Sequence, residues 1–164
     1  TVTLSDERWI DADHEQSNER LIKQHLMAHL PANNPFVGLK TRHDTPFAAI
    51  DEIHQRLDHL LPLSLTVLGL GEDGHIASLF PGMNPDLLST HHCVAVAPPI
   101  APSPRISLSL AMLAGSEHIA LVVTGKAKRR LLDRLSEHPD PGLPITWLLQ
   151  RTHAPITAFE TEVQ

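Results

Sequence analysis

The 164-residue sequence contains one cysteine, Cys93, which excludes an internal disulfide and with it the stapled frameworks of small secreted domains. Cys93 opens a short apolar run, so a buried, inert thiol is expected there. No apolar stretch approaches the roughly 18 residues that a membrane-spanning helix needs, and no secretory leader is read in it. The expected compartment is therefore the cytoplasm, with no membrane partner. Basic residues cluster only at 126–130 in a chain of formal charge −6, which argues against nucleic acid as a partner. No internal repeat or low-complexity tract is present. At 41% hydrophobic and 20% charged, the composition is that of an ordinary globule, and the length suits a single domain over residues 1–164.

What the chain does have is concentrated in residues 65–82, LTVLGLGEDGHIASLFPG. The opening run, Leu65, Thr66, Val67 and Leu68, has the length and β-branched content of a buried strand. Gly69, Gly71 and Gly74 follow, letting the backbone turn tightly and lie close to a ligand. His75 comes next. Residues 74–80 read as a helical turn or two stopped by Pro81 and Gly82, which would aim unpaired N–H groups and the positive end of a helix dipole into the loop. The letters fit G-x-G-x-x-G, yet a dinucleotide site is rejected. Glu72 and Asp73 would repel a pyrophosphate, and the next strand leads into Ala97, Pro98 and Pro99 rather than to a ribose-binding acid.

Elsewhere strands and helices alternate. Thr1 to Leu4 read as a strand that delivers Asp6, Glu7 and Arg8 at its carboxyl end; taken alone, this triplet is a solvated turn. From Ser17, apolar residues Leu21, Ile22, Leu26, Met27 and Leu30 recur at helical spacing until Pro31. His25 and His29 lie four apart, but no H-E-x-x-H pattern accompanies them, so no metal role is assigned. A short apolar piece, 36–39, precedes a helix that starts at Thr45 and Pro46 with Phe47, Ile50, Ile53, Leu57 and Leu60 as its buried stripe. Strands are expected over 93–97, 106–110 and 119–123, a helix over about 126–135, a short helix over 144–151 and a closing strand over 156–159. Pro98, Pro99, Pro102 and Pro104 make an extended connection that shapes a pocket rim. The alternation implies an α/β fold: three layers, a doubly wound and mainly parallel sheet of Rossmann-like type, helices on both faces.

The string GLGEDGHIASLFPG resembles the signature of the 6-phosphogluconolactonase family. Asp6-Glu7-Arg8 with Ser17-Asn18, the segment Arg105-Ile106-Ser107-Leu108, and Gly125-Lys126-Ala127-Lys128 resemble the same family in order. The resemblance implies hydrolysis of a phosphorylated sugar lactone in the pentose phosphate pathway. It makes Arg8 a ligand for phosphate or lactone oxygens with Asp6 holding it, Arg105 a phosphate ligand, and Lys128 a source of positive potential beside the phosphate. His75 becomes the base that takes a proton from water, because an imidazole titrates near neutral pH. Asp73 orients that ring or shapes the loop. Loop N–H groups between Gly69 and Gly74, or an arginine, meet the oxyanion. No cofactor and no metal are implied, since a cyclic ester needs neither. The partner is a small sugar phosphate, and nothing read here sets an oligomeric state.

Two alternatives stand beside this. The glucosamine-6-phosphate deaminases carry a similar loop, but there a glutamate helps to orient the histidine where this chain has Phe80, which accepts no hydrogen bond. A non-catalytic sugar-phosphate-binding domain is the other. Thr1 also opens inside an expected strand, without the Gly- and Ser-rich leading segment that the resemblance implies, so a truncated or processed chain is expected.

Overall fold

Three small sheets carry the chain, and their registers decide where the polar residues gather. The computed structural model describes residues 1–86, 88, 91–97 and 103–161; Pro98, Pro99 and Pro102 lie outside them. Strand β1 (Val2–Thr3) pairs in parallel with β3 (Phe36–Val37). A parallel three-strand sheet runs in the order β4 (Thr66–Gly69), β7 (Ile119–Thr124), β8 (Ile156–Thr161). An antiparallel sheet runs β2 (Asp6–Arg8), β6 (Arg105–Leu108), β5 (Cys93–Val96). Helices between the strands complete a three-layer, mainly parallel α/β fold.

The expectation for Asp6 to Arg8 is corrected here. The triplet is itself a strand, not a turn at the end of one, and Glu7 at its centre is buried. Its carboxylate accepts from the Ser17 hydroxyl at 2.9 Å and from the backbone N–H groups of Arg8, Asn18 and Glu19 at 2.8, 2.9 and 2.7 Å. A buried carboxylate is tolerable only with such a set of donors. Two of those donors are the first N–H groups of α1 (Asn18–His25), so Glu7 also neutralises the positive end of that helix. Ser17 caps α1 by accepting from Arg20 N, a contact of a kind that contributes about 1 kcal/mol. The helix ends at His25, sooner than the apolar spacing suggests, and a 3-10 turn, Met27–His29, follows.

Helix α2 (Pro46–Asp58) starts where Thr45 and Pro46 indicate, with Thr45 Oγ1 accepting from Ala48 N. Its buried face is Pro46, Ala49, Ile53 and Leu57, and Phe47 is exposed. At 100° per residue, Phe47 lies about 100° from the line joining Pro46 and Ile53, too far round to reach the core. Strand β6 stops at Leu108, two residues short of the expected 110, and a helix that the sequence reading did not identify follows: α3 (Leu110–Ala114), capped by Ser109, whose Oγ accepts from Met112 N. Helix α4 (Lys126–Glu137) follows β7 directly, and α5 (Pro144–Arg151) has the bounds its proline predicts.

The core is one cluster that includes Leu39, Ile53, Leu57, Ile76, Leu79, Ile106, Leu110, Leu113 and Leu148, all fully buried. Each such side chain contributes on the order of 1.5–3 kcal/mol. Cys93 belongs to this cluster, and burial together with the Asp51 charge pushes its thiol up to about 11. Strand β4 is half-buried rather than fully buried: Thr66 and Leu68 face inward, while Leu65 and Val67 are exposed. With Leu21 of α1 and Leu26 just after it, they line a groove of about 610 Å³ between β1, α1 and β4, an apolar face that the sequence pattern does not announce. Among the described residues, no helix is long and apolar enough to cross a membrane.

Candidate active site

The loop after β4 is shaped by its own hydrogen bonds, not by a helix. Gly71 N–H donates to His75 O at 2.9 Å, Gly74 N–H to Gly71 O at 3.1 Å and Leu79 N–H to Ile76 O at 2.9 Å. Leu70 and Ile76, then Ile76 and Leu79, form isolated antiparallel bridges. The helical turns expected over 74–80 are therefore absent, and with them the helix-dipole anion site. The reason is local: Gly74 and Ala77 both have positive φ, +83° and +48°, which an α-helix cannot contain. Two glycines are required here. Gly74 supplies the left-handed turn, and its carbonyl receives the Ile145 N–H of α5 at 3.1 Å. At Gly71 a Cβ would collide with the His75 ring and the Asp73 carboxylate. Gly69, the last residue of β4, faces open space and carries no such constraint.

That close approach at Gly71 seats the imidazole. His75 Nδ1 lies 2.5 Å from Asp73 Oδ1, and the His75 N–H reaches the same oxygen at 3.2 Å. Asp73 is ionised at neutral pH. Burial raises its carboxyl, but the bonds from the His75 backbone and ring and the charge on His75 outweigh that and hold it below its ordinary 3.8. A carboxylate accepts only, so Nδ1 carries the proton and Nε2 is left as the acceptor. Asp73 Oδ1 thus contacts both the ring and the backbone of the turn. The ring is one-third exposed, open to water.

The arginines come from the antiparallel sheet. Arg8 and Arg105 are directly opposed in the β2–β6 ladder, an arrangement of like charges that destabilises a strand pair unless something negative sits near it. Burial and the Arg8 charge both lower the Arg105 pKa, and Asp6 opposes them. Asp6 faces Arg105 at 3.9 Å. Arg8 is steered by other groups: Nη1 donates to Asn18 Oδ1 at 2.8 Å and to Gln16 O at 3.0 Å. Asn18 in turn donates from Nδ2 to the Asp6 carbonyl at 2.9 Å and to Asp6 Oδ1 at 3.1 Å. The hold of Asp6 on Arg8 therefore runs through Asn18. Arg105 Nε is buried and has no partner among the described residues, a donor left open beside the second guanidinium.

Phe80 joins the two groups. Its ring centroid is 5.0 Å from the His75 ring and 5.8 Å from the Arg105 guanidinium carbon. Ser78, two residues earlier, is fully buried; its hydroxyl donates to Asp6 Oδ2 at 2.6 Å and accepts from Arg105 Nη1 at 3.5 Å. Lys128 stands apart, on the first turn of α4 at the carboxyl end of β7, with Nζ donating to Thr124 Oγ1 at 3.5 Å. Because β7 pairs in parallel with β4, that turn and the His75 loop leave the same, carboxyl end of the parallel sheet. Ser78 and Asn18 are the residues that sequence reasoning did not place in the site. Each lies in a segment that carries the resemblance, Asn18 in Ser17-Asn18 and Ser78 in GLGEDGHIASLFPG, but their contacts with Asp6, Arg8 and Arg105 are set by the fold. Among the described residues, no group of three or more His, Cys, Asp or Glu side chains is arranged to ligate a metal ion.

The profile of the family "Glucosamine-6-phosphate isomerases/6-phosphogluconolactonase" matches residues 1–157. The chain belongs to that family. A 6-phosphogluconolactonase of Pseudomonas putida is 40% identical over 78% of this chain and 55% of its own length. One of Caulobacter vibrioides is 38% identical over 99% of this chain and 72% of its own length. Among solved structures, a 6-phosphogluconolactonase from Shewanella baltica OS155 superposes with a TM-score of 0.89 at 34% identity, covering 98% of this chain and 71% of that one. This family member therefore spans only about half to three-quarters of the length of these relatives.

Proposed function

We propose that the chain carries the water-activating and phosphate-anchoring parts of a 6-phosphogluconolactonase, acting as one cytoplasmic domain on a phosphorylated sugar δ-lactone. The observation that carries this reading is the Phe80 ring, which lies 5.0 Å from the Asp73-held imidazole and 5.8 Å from the Arg105 guanidinium carbon. A base and an anion anchor that share one neighbouring residue suit a substrate that carries both a carbonyl and a phosphate.

In the reaction, His75 Nε2 takes a proton from water as its oxygen attacks the lactone carbonyl carbon. Asp73 holds Nδ1–H and stabilises the imidazolium that forms. The N–H groups of Gly71, Gly74 and His75 are engaged within the loop, so the developing oxyanion is met by the remaining backbone N–H groups of the 69–74 loop. The tetrahedral intermediate collapses by breaking the bond to the ring oxygen, which leaves with the imidazolium proton as the new hydroxyl. Arg8 and Arg105, with Lys128 adding charge, hold the phosphate throughout.

The test is hydrolysis of 6-phosphogluconolactone above its spontaneous rate, followed by acid release in a pH-stat. Catalysed release that disappears in His75→Ala is expected. Ammonia release from glucosamine 6-phosphate would instead move the chain to the deaminase branch. That branch is disfavoured because Asp73, not a residue at position 80, holds the ring. Binding of 6-phosphogluconate without turnover would leave a sugar-phosphate-binding domain.

A further inference from the structure

We infer that Ser78 is a positioning residue that keeps Asp6 from closing onto Arg105, and so keeps the Arg105 guanidinium available to the substrate's phosphate. This rests on the function proposed above and assigns a role to a residue outside the base and the anion ligands.

The argument begins with Asp6, whose side chain is largely buried between groups that compete for it. Oδ1 receives Asn18 Nδ2 at 3.1 Å and Ser5 Oγ at 3.5 Å. Oδ2 has a short bond from the Ser78 hydroxyl, 2.6 Å, and Arg105 Nη1 beyond it at 3.9 Å. A carboxylate and a guanidinium this close and this shielded from water would ordinarily close into a direct, hydrogen-bonded pair. Here the serine hydroxyl bridges them from one side and competes for Oδ2, donating to Asp6 and accepting from Arg105 at 3.5 Å. Ser78 cannot easily swing away. It is fully buried, and its backbone N–H donates to Ser107 Oγ at 3.2 Å, in strand β6 beside Arg105.

Without the hydroxyl, Oδ2 loses its short donor and Arg105 Nη1 is the nearest replacement. The pair closes, its charges cancel, and an incoming phosphate must first break it. Ser78 also sits three residues after His75 in the same turn, so one side chain spaces the base-bearing loop from the anion-binding strand. The chemistry at His75 does not pass through this contact, which separates binding from turnover.

The experiment compares wild type, Ser78→Ala and Ser78→Cys, cysteine filling nearly the same volume with a poor donor. In calorimetry with inorganic phosphate, both variants should bind about tenfold more weakly than wild type. With the phosphorylated lactone, KM should rise about tenfold while kcat changes less than twofold. In an Asp6→Asn background, adding Ser78→Ala should change phosphate affinity less than twofold, because no carboxylate remains to close on Arg105. Equal phosphate affinity in wild type and both variants, no phosphate binding by wild type, or a full tenfold loss in the Asp6→Asn background would each overturn the role. Absence of lactonase turnover with the phosphate pattern intact would instead reject the proposed reaction and leave Ser78's role standing.

Discussion

His75 stands on an irregular loop held by two glycines and one carboxylate, whereas Arg105 stands in the ladder of an antiparallel sheet, enclosed by Ser78, Asp6 and Phe80. The loop leaves its ring one-third exposed, where water can reach it. The strand pair holds two guanidinium groups opposite each other at a cost that bound anion would relieve. The difference teaches where each requirement is met. In the proposed reaction the base needs access and a fixed tautomer, which a tight turn would supply. The proposed anchor needs like charges held together, which a ladder with buried neighbours would sustain.

The comparison can be broken at its most consequential point by His75→Ala. Turnover should fall by about 10² to 10⁴, the contribution typical of general base catalysis, while calorimetric binding of 6-phosphogluconate and the circular dichroism spectrum stay as in wild type. Arg105→Ala addresses the other region. Losing a charge-assisted bond worth about 1.5–3 kcal/mol should weaken 6-phosphogluconate binding by roughly 10- to 100-fold, as read by isothermal titration. The scaffold of the loop is probed by Gly74→Ala, which forces a side chain into left-handed backbone. It should lower stability by about 1–2 kcal/mol in urea unfolding. The smallest expected effect concerns Asp73 and acid. Because its folded-state pKa is depressed, its contribution to stability is present at neutral pH and is lost as pH falls below about 3.8. Asp73→Asn should therefore be less stable than wild type at pH 7, the two converging in acid; a constant difference down to pH 2 would contradict the assignment.

Much of the fold was legible because its signals are local. Thr45 with Pro46, and Pro144, mark helix starts that the structure reproduces, and β7 alternates buried and half-buried residues as a strand should. Helix α3 was not legible: Leu110, Met112 and Leu113 are all buried, and five residues without a polar face show no period. The turn at 74–80 was misread for a related reason, since nothing in its letters shows that Ala77 adopts positive φ. In the site, the glycine loop, His75 and Asp73 could be read because they are neighbours in sequence. The Asp6, Ser78 and Arg105 contacts span 27 to 99 positions, and tertiary packing alone brings them together. The groove beside Leu65 and Val67 is a third case, where an apolar run that reads as core faces outward instead.

The most direct measurement pairs two substrates with two variants. Initial rates of hydrolysis of 6-phosphogluconolactone and of its phosphate-free counterpart should be taken for wild type, His75→Ala and Arg105→Ala. If base and anchor are separate devices, His75→Ala lowers kcat/KM for both lactones by a similar factor. Arg105→Ala lowers it only for the phosphorylated one. Equal losses on both lactones in Arg105→Ala, or turnover of either lactone unchanged in His75→Ala, would contradict the division of labour between loop and strand.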